Sequence, residues 1–352
     1  MKCQWLLVSI LLFALTACAP TPAPSLPPAQ VKPTLAPPVP APTQVPPSTP
    51  APATKPNLPP NTLAPATKPG LPTLGAQKPP AATKPGANIT PPSLPKGIAK
   101  THSVTNPTTN AKLHVQVFAP KNASRLPALV LVPGGTGDSG GFVDDALQMV
   151  NTGIVAVIFD PDGRGKSTGH EDYNGAKHQD GLAAVIRFAA TLPEVDAQRL
   201  GVATYSYGIT MGSGTLARYG DLPVKFLIDW EGPADRHYTT TGCQANRPGG
   251  IQWQPCNDQA WWAEREAVNF IGKIRVPYQR IQSEKDHVQI NNNHALDLIN
   301  AAIRGGVPWV RLNALTPNQT YDAKNPPPLL PESQDRQLPQ TVIQFAQELF
   351  KK

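Results

Sequence analysis

The chain has no acidic residue in its first 99 positions, no histidine after position 294, and only four cysteines in 352 residues. Each shortage excludes something. The acid-free segment carries seven lysines (Lys2, Lys32, Lys55, Lys68, Lys78, Lys84 and Lys96), which leaves 24 basic against 24 acidic residues from residue 100 onward. The net charge of +7 therefore belongs to the N-terminal segment. A neutral remainder lacks the basic face that a phosphate backbone requires, so no nucleic-acid partner is expected. The cysteines form no CxxC pair and stand near no HxxxH spacing, so no metal site is expected, and no other cofactor is implied. Apolar runs are short as well. Trp5–Leu15 (WLLVSILLFAL) falls well below the roughly 20 residues a membrane-spanning helix needs.

That run is the right length for an export signal, with Lys2 as its positive start. It ends in Leu15-Thr16-Ala17-Cys18, which resembles the lipobox of bacterial lipoproteins. The resemblance implies cleavage before Cys18 and a diacylglycerol on its thiol, hence a domain tethered to the membrane outside the cytoplasm. Residues 1–18 are read as the signal and residues 19–99 as a stalk of Pro, Ala, Thr and Lys. In the stalk the word Ala-Thr-Lys-Pro recurs at 53–56, 66–69 and 82–85. Such a composition buries too little apolar surface to offset its ordering entropy, and its prolines favour extended polyproline II. With Cys3 removed and Cys18 acylated, Cys243 and Cys256 remain, and in an exported domain two such thiols point to one disulfide. Closing a loop of that size stabilises by about 3 kcal/mol.

Residues 100–352 alternate strand and helix. Leu113, Val115 and Val117 alternate as in an exposed edge strand. Continuous apolar strands are expected at 128–132, 154–160, 200–205, 224–230, 277–282 and 309–315. Helices are expected at 142–151, 178–192, from 209, and at 339–350. That pattern indicates an α/β fold with a mostly parallel sheet covered by helices on both faces. Residues 231–266 break the rhythm and hold both cysteines and several tryptophans, so they read as an inserted lid. Trp230, Trp253, Trp261 and Trp262 are read as lid core before ligand platform.

Three motifs compete for the chemistry. Gly135-Thr-Gly137-Asp-Ser-Gly140, with Asp160 about 20 residues on, fits a dinucleotide fingerprint, although an exported domain has no assured supply of the cofactor. Gly165-Lys166-Ser167 resembles the end of a P-loop but lacks its first glycine, since Asp160 stands there. The third is Thr204-Tyr205-Ser206-Tyr207-Gly208, between a strand and a helix. A serine on so tight a turn has its hydroxyl raised above the sheet, and its neighbours must be small. Gly208 fits, and Thr204 departs from the usual glycine. The backbone N–H of Tyr207 at the helix start, with a second from Gly135 in the loop 133–137, would form an oxyanion hole.

These segments together resemble the α/β-hydrolase superfamily, and within it the prolyl-oligopeptidase, dienelactone-hydrolase and X-prolyl-peptidase relatives. The resemblance rests on loop 133–137, the Asp160–Ser167 segment, the elbow, and Ser283-Glu-Lys-Asp286-His-Val288. It implies Ser206 as nucleophile and Asp286 as the triad acid. The family's histidine follows the last strand, where this chain has none. Of the seven histidines, His237, His287 and His294 fall near the expected strand ends. His294, opening the helix after the Asp286 loop, is the candidate base, because His287 is tied directly to the backbone of Asp286. The reading is a serine hydrolase acting on an ester or peptide-like substrate, with a ligand-binding protein of the same fold that has lost catalysis as its alternative. Oligomeric state is left open.

Overall fold

The structure, a computed structural model, describes residues 98–238, 243, 254–287, 292–331 and 337–352. The signal segment, Cys18, the stalk and Trp253 lie outside the described residues. Among those described, no helix is long and apolar enough to cross a membrane.

Among the described residues, eight strands form one sheet: β1 Ile98–Thr105, β2 Lys112–Ala119, β3 Leu126–Val132, β4 Val155–Phe159, β5 Val195–Tyr205, β6 Leu227–Trp230, β7 Tyr278–Ile281 and β8 Val310–Leu312. Their order is β1-β2-β4-β3-β5-β6-β7-β8. The first two pairings, β1–β2 and β2–β4, are antiparallel and the rest are parallel. Among the described residues the α-helices are α1 Val143–Asn151, α2 Ala176–Ala190, α3 Gly208–Arg218, α4 Gln259–Ala263, α5 Asn293–Arg304 and α6 Leu338–Leu349. One expectation fails. The Leu113–Val117 strand is internal, because β1, whose mixed sequence IAKTHSVT hides its pairing, takes the edge.

The pleat divides the core in two. Along β3, Ala128, Val130 and Val132 enter the layer beneath α2, α3 and α5, while Leu129 and Leu131 enter the layer beneath α1 and α6. Strands buried on both faces explain why β4 reads VAVIF without a polar residue. Parallel strands share a direction, so the loops after β3, β5, β6 and β7 gather at one edge of the sheet. The Cys243–Cys256 disulfide is present, with Cα atoms 5.5 Å apart.

Candidate active site

The turn after β5 is the tightest point of the site. Ser206 has φ +52°, a left-handed conformation that a residue with a side chain holds only when its surroundings enforce it. Its N–H donates to the carbonyl of Trp230 at 2.8 Å. The neighbours leave no room: a Cβ on Gly208 would meet the carbonyls of Val132 and Pro133 at 2.8 Å. Thr204 is accommodated from the helix side, since its Cγ2 lies 2.4 Å from where a Cβ on Gly212 would stand. Gly212, one helical turn past Gly208, leaves the room that Thr204 takes in place of a first glycine, and the elbow is kept.

The loop after β3 lies against this turn. A Cβ on Gly134 would stand 2.8 Å from Ser206 Cβ and 2.5 Å from the Tyr205 carbonyl oxygen, and Gly135 follows with φ +51°. Tyr207 is buried at the start of α3. Its hydroxyl donates to the Arg265 carbonyl at 2.6 Å, and its own carbonyl accepts from Asn174 Nδ2 at 3.0 Å. Both segments named for the oxyanion hole therefore border Ser206.

His287, not His294, meets the serine. His287 Nε2 lies 2.9 Å from Ser206 Oγ, and its Nδ1 lies 2.8 Å from Glu231 Oε2. Glu231 follows β6 directly, is fully buried, and has φ +47°. The next residue must be glycine, because a Cβ on Gly232 would meet Ile209 Cγ2 at 2.4 Å. Glu231 also accepts from the backbone N–H groups of Ser283 and His287, each at 3.0 Å, and from the Ser283 hydroxyl. With these donors around it, the carboxylate can hold His287 in the tautomer that leaves Nε2 free to accept a proton.

Asp286 takes a second place. Its Oδ1 lies 3.4 Å from His287 Nδ1, while its Oδ2 accepts from Gln282 Nε2 at 2.9 Å and lies 3.1 Å from His294 Nε2. His294 is fully buried, with Nδ1 3.1 Å from an Arg280 nitrogen and 3.0 Å from the Gly232 carbonyl. Its placement as the base is corrected on this geometry: both ring nitrogens face β7 and the loops around it. The exposed His237 has its Nδ1 3.2 Å from the Cys243 carbonyl. Glu231, Asp286 and His287 also place three ligand atoms within 4.8 Å of one another. A metal there would have to take the Nδ1 position that Glu231 holds.

Beneath the site, Arg280 and Asp229 are register partners on β7 and β6 and form a fully buried ion pair at 2.5 Å. Arg280 also donates to the Gly232 carbonyl at 2.8 Å and to Gln282 Oε1 at 2.6 Å. One side chain thus braces both the turn carrying Glu231 and the segment leading to Asp286 and His287. The Asp160 carboxylate accepts from the N–H groups of Ser139 and Lys166 at 2.8 and 2.7 Å, so it pins two loops where a dinucleotide site would need it for ribose.

A third histidine supports the site from the side. His178 Nδ1 accepts the Asn174 N–H at 3.1 Å, fixing the residue that holds the Tyr207 carbonyl. Burial, helped by Arg164, pushes this imidazole down from 6.5 to about 4. The unfolded chain therefore takes up a proton that the folded one refuses. Stability is complete above about pH 6.5 and falls as the pH drops toward 4, by at most about 3 kcal/mol from this group. Urea midpoints across that range should fall in the parent, and the slope should flatten in His178→Gln.

A family model for the X-Pro dipeptidyl-peptidase (S15 family) matches residues 109–295, just over half of the chain. The chain belongs to the X-Pro dipeptidyl-peptidase (S15) family. That family belongs to the α/β-hydrolase superfamily, and the matched span contains Ser206, Glu231, Asp286, His287 and His294. No curated protein matches the sequence significantly. Among solved structures, this S15 member is similar to dipeptidyl peptidase 4 of Porphyromonas gingivalis, with 15% identity and TM-score 0.54 over 72% of this chain and 35% of that one. An acylaminoacyl peptidase of Pyrococcus horikoshii gives 16% identity and TM-score 0.52 over 72% of this chain and 41% of that one. An esterase of Pyrococcus furiosus gives 17% identity and TM-score 0.50 over 72% of this chain and 90% of that one. These likenesses show the fold. The S15 chain spans about a third of the length of the dipeptidyl peptidase and most of the esterase.

The sequence reading missed Glu231 in this S15 chain. Its signal was present: an acid at the end of the strand beside the elbow strand. With it the order along the chain is serine, acid, histidine, which is the order of the superfamily.

Proposed function

We propose that the protein is a serine hydrolase that cleaves an ester or peptide-like bond through Ser206, His287 and Glu231, with the backbone N–H groups of Tyr207 and Gly135 as the oxyanion hole. The observation that carries this reading is the His287 ring, which bridges Ser206 Oγ at 2.9 Å and Glu231 Oε2 at 2.8 Å. Those distances suit a proton moving off the nucleophile onto a held base.

The steps follow from the geometry. Ser206 Oγ attacks the substrate carbonyl carbon while its proton passes to His287 Nε2. The imidazolium forms with its Nδ1–H on Glu231, and the carbonyl oxygen, now negative, accepts the two backbone N–H groups. Collapse breaks the bond to the leaving alcohol or amine, which takes the proton from Nε2. Water then attacks the acyl-serine with the same base, releasing the acid and restoring Ser206. The family's description supports X-Pro peptides as the first substrates to try, beside simple esters. The loss-of-catalysis alternative rested on a missing base, and His287 supplies a group in that position.

The rest of the proposal concerns place. A lipid on Cys18 would tether the domain to the membrane outside the cytoplasm, with residues 19–99 as spacer and the 231–266 interval as lid. A fluorophosphonate probe tests the chemistry, because it labels only an activated serine. Labelling should map to Ser206 and disappear in Ser206→Ala. A folded parent that neither labels nor turns over p-nitrophenyl esters or X-Pro p-nitroanilides would overturn the reading.

A further inference from the structure

Trp230 touches all three members of the proposed triad. Its carbonyl accepts the Ser206 N–H at 2.8 Å, its backbone runs directly into Glu231, and its indole lies against the His287 ring. The two rings are stacked, with centroids 4.4 Å apart and planes 22° apart. The indole is fixed in turn by Tyr205, whose ring meets it edge-on at 6.2 Å and packs against Phe142 at 4.6 Å.

The stack acts where the carboxylates do not. Glu231 and Asp286 reach His287 at Nδ1, at 2.8 and 3.4 Å, and Ser206 reaches it at Nε2, so all three act around the ring's rim. His294 stands behind Asp286 at 3.1 Å, and Arg280 behind His294. Trp230 meets the face of the ring. An indole face carries partial negative charge and attracts a cation placed over it, tryptophan most strongly among the aromatic residues. Neutral imidazole gains only the stacking. The contact is therefore stronger once the Ser206 proton has moved, and an interaction stronger in the transition state than in the ground state raises the rate.

We propose that Trp230 is a positioning residue that stabilises the His287 imidazolium through its indole face while confining the ring between Ser206 and Glu231. The proposal rests on the triad reading above. It also gives Trp230 a role other than lid core or substrate platform.

The test compares Trp230→Phe and Trp230→Leu with the parent, in the full chain, by the rate of fluorophosphonate labelling across pH. Trp230→Leu should label about tenfold more slowly at neutral pH. Its acid limb should move about half a unit to one unit lower, because a less stabilised imidazolium releases its proton at lower pH. Trp230→Phe, which keeps a ring face, should recover most of the rate and most of the displacement. A second measurement does not need the leucine variant. Protonated imidazole quenches indole emission, so the parent-minus-Trp230→Phe fluorescence should titrate with the acid limb of labelling. An acid limb unmoved in both variants, or emission that does not follow it, would overturn the proposal and leave Trp230 as packing alone. A parent that does not label removes the triad reading, and this proposal with it.

Discussion

His287→Ala should lower ester turnover by about a million-fold, to the level of Ser206→Ala, because a triad that has lost either its nucleophile or its base keeps only what the oxyanion hole and binding supply. The double variant should be no worse than either single one, since groups that act as a unit are not additive. His294→Ala should behave differently. That ring is fully buried, and its removal leaves Arg280 and Asp286 each short of a neighbour, an effect of about 1–3 kcal/mol on stability with a loss of activity nearer tenfold. Thermal midpoints and steady-state rates on the same preparations separate the two outcomes. A dead His294→Ala with His287→Ala active would show that His287 is not the base.

How far the sequence carried is clearest at these two histidines. The apolar strands and the serine turn were legible because they are local: β-branched runs bury on both faces, and a strand meeting a helix through Ser206 and Gly208 has few ways to turn. Even the unusual Thr204 is explained one helical turn away, at Gly212. The proposed base, His287, was illegible for a single reason. The family resemblance points to Asp286 as the acid, and an acid cannot readily orient a histidine attached to its own backbone, which directs attention away from His287. Once Glu231 holds Nδ1 from the neighbouring strand end, that attachment is no obstacle, since the backbone N–H of His287 itself donates to Glu231 at 3.0 Å. The edge strand β1 was hidden for a different reason. Its partner was legible, but IAKTHSVT has too little apolar alternation to reveal its own register.

Glu231→Gln should lower kcat by about ten-thousand-fold with the fold intact, as when the acid of a serine triad becomes an amide and the histidine takes the wrong tautomer. The contacts say why. Glu231 accepts from four donors: the His287 N–H, His287 Nδ1, the Ser283 N–H and the Ser283 hydroxyl. An amide has one acceptor oxygen, so it cannot serve both residues. If that oxygen turns to Ser283, the amide nitrogen faces Nδ1, which must then accept. The ring proton moves to Nε2, and Ser206 loses its base. Asp286→Asn should cost far less, about tenfold, because Asp286 lies 3.4 Å from Nδ1 against 2.8 Å for Glu231, with its other oxygen committed to Gln282 and facing His294. Comparable losses in the two variants would mean that the carboxylates share the imidazole. A larger loss in Asp286→Asn would return the acid to the loop after β7, as the family resemblance implied. Pre-steady-state acylation rates on both variants decide between these outcomes, since they follow the step in which Nε2 must take the Ser206 proton.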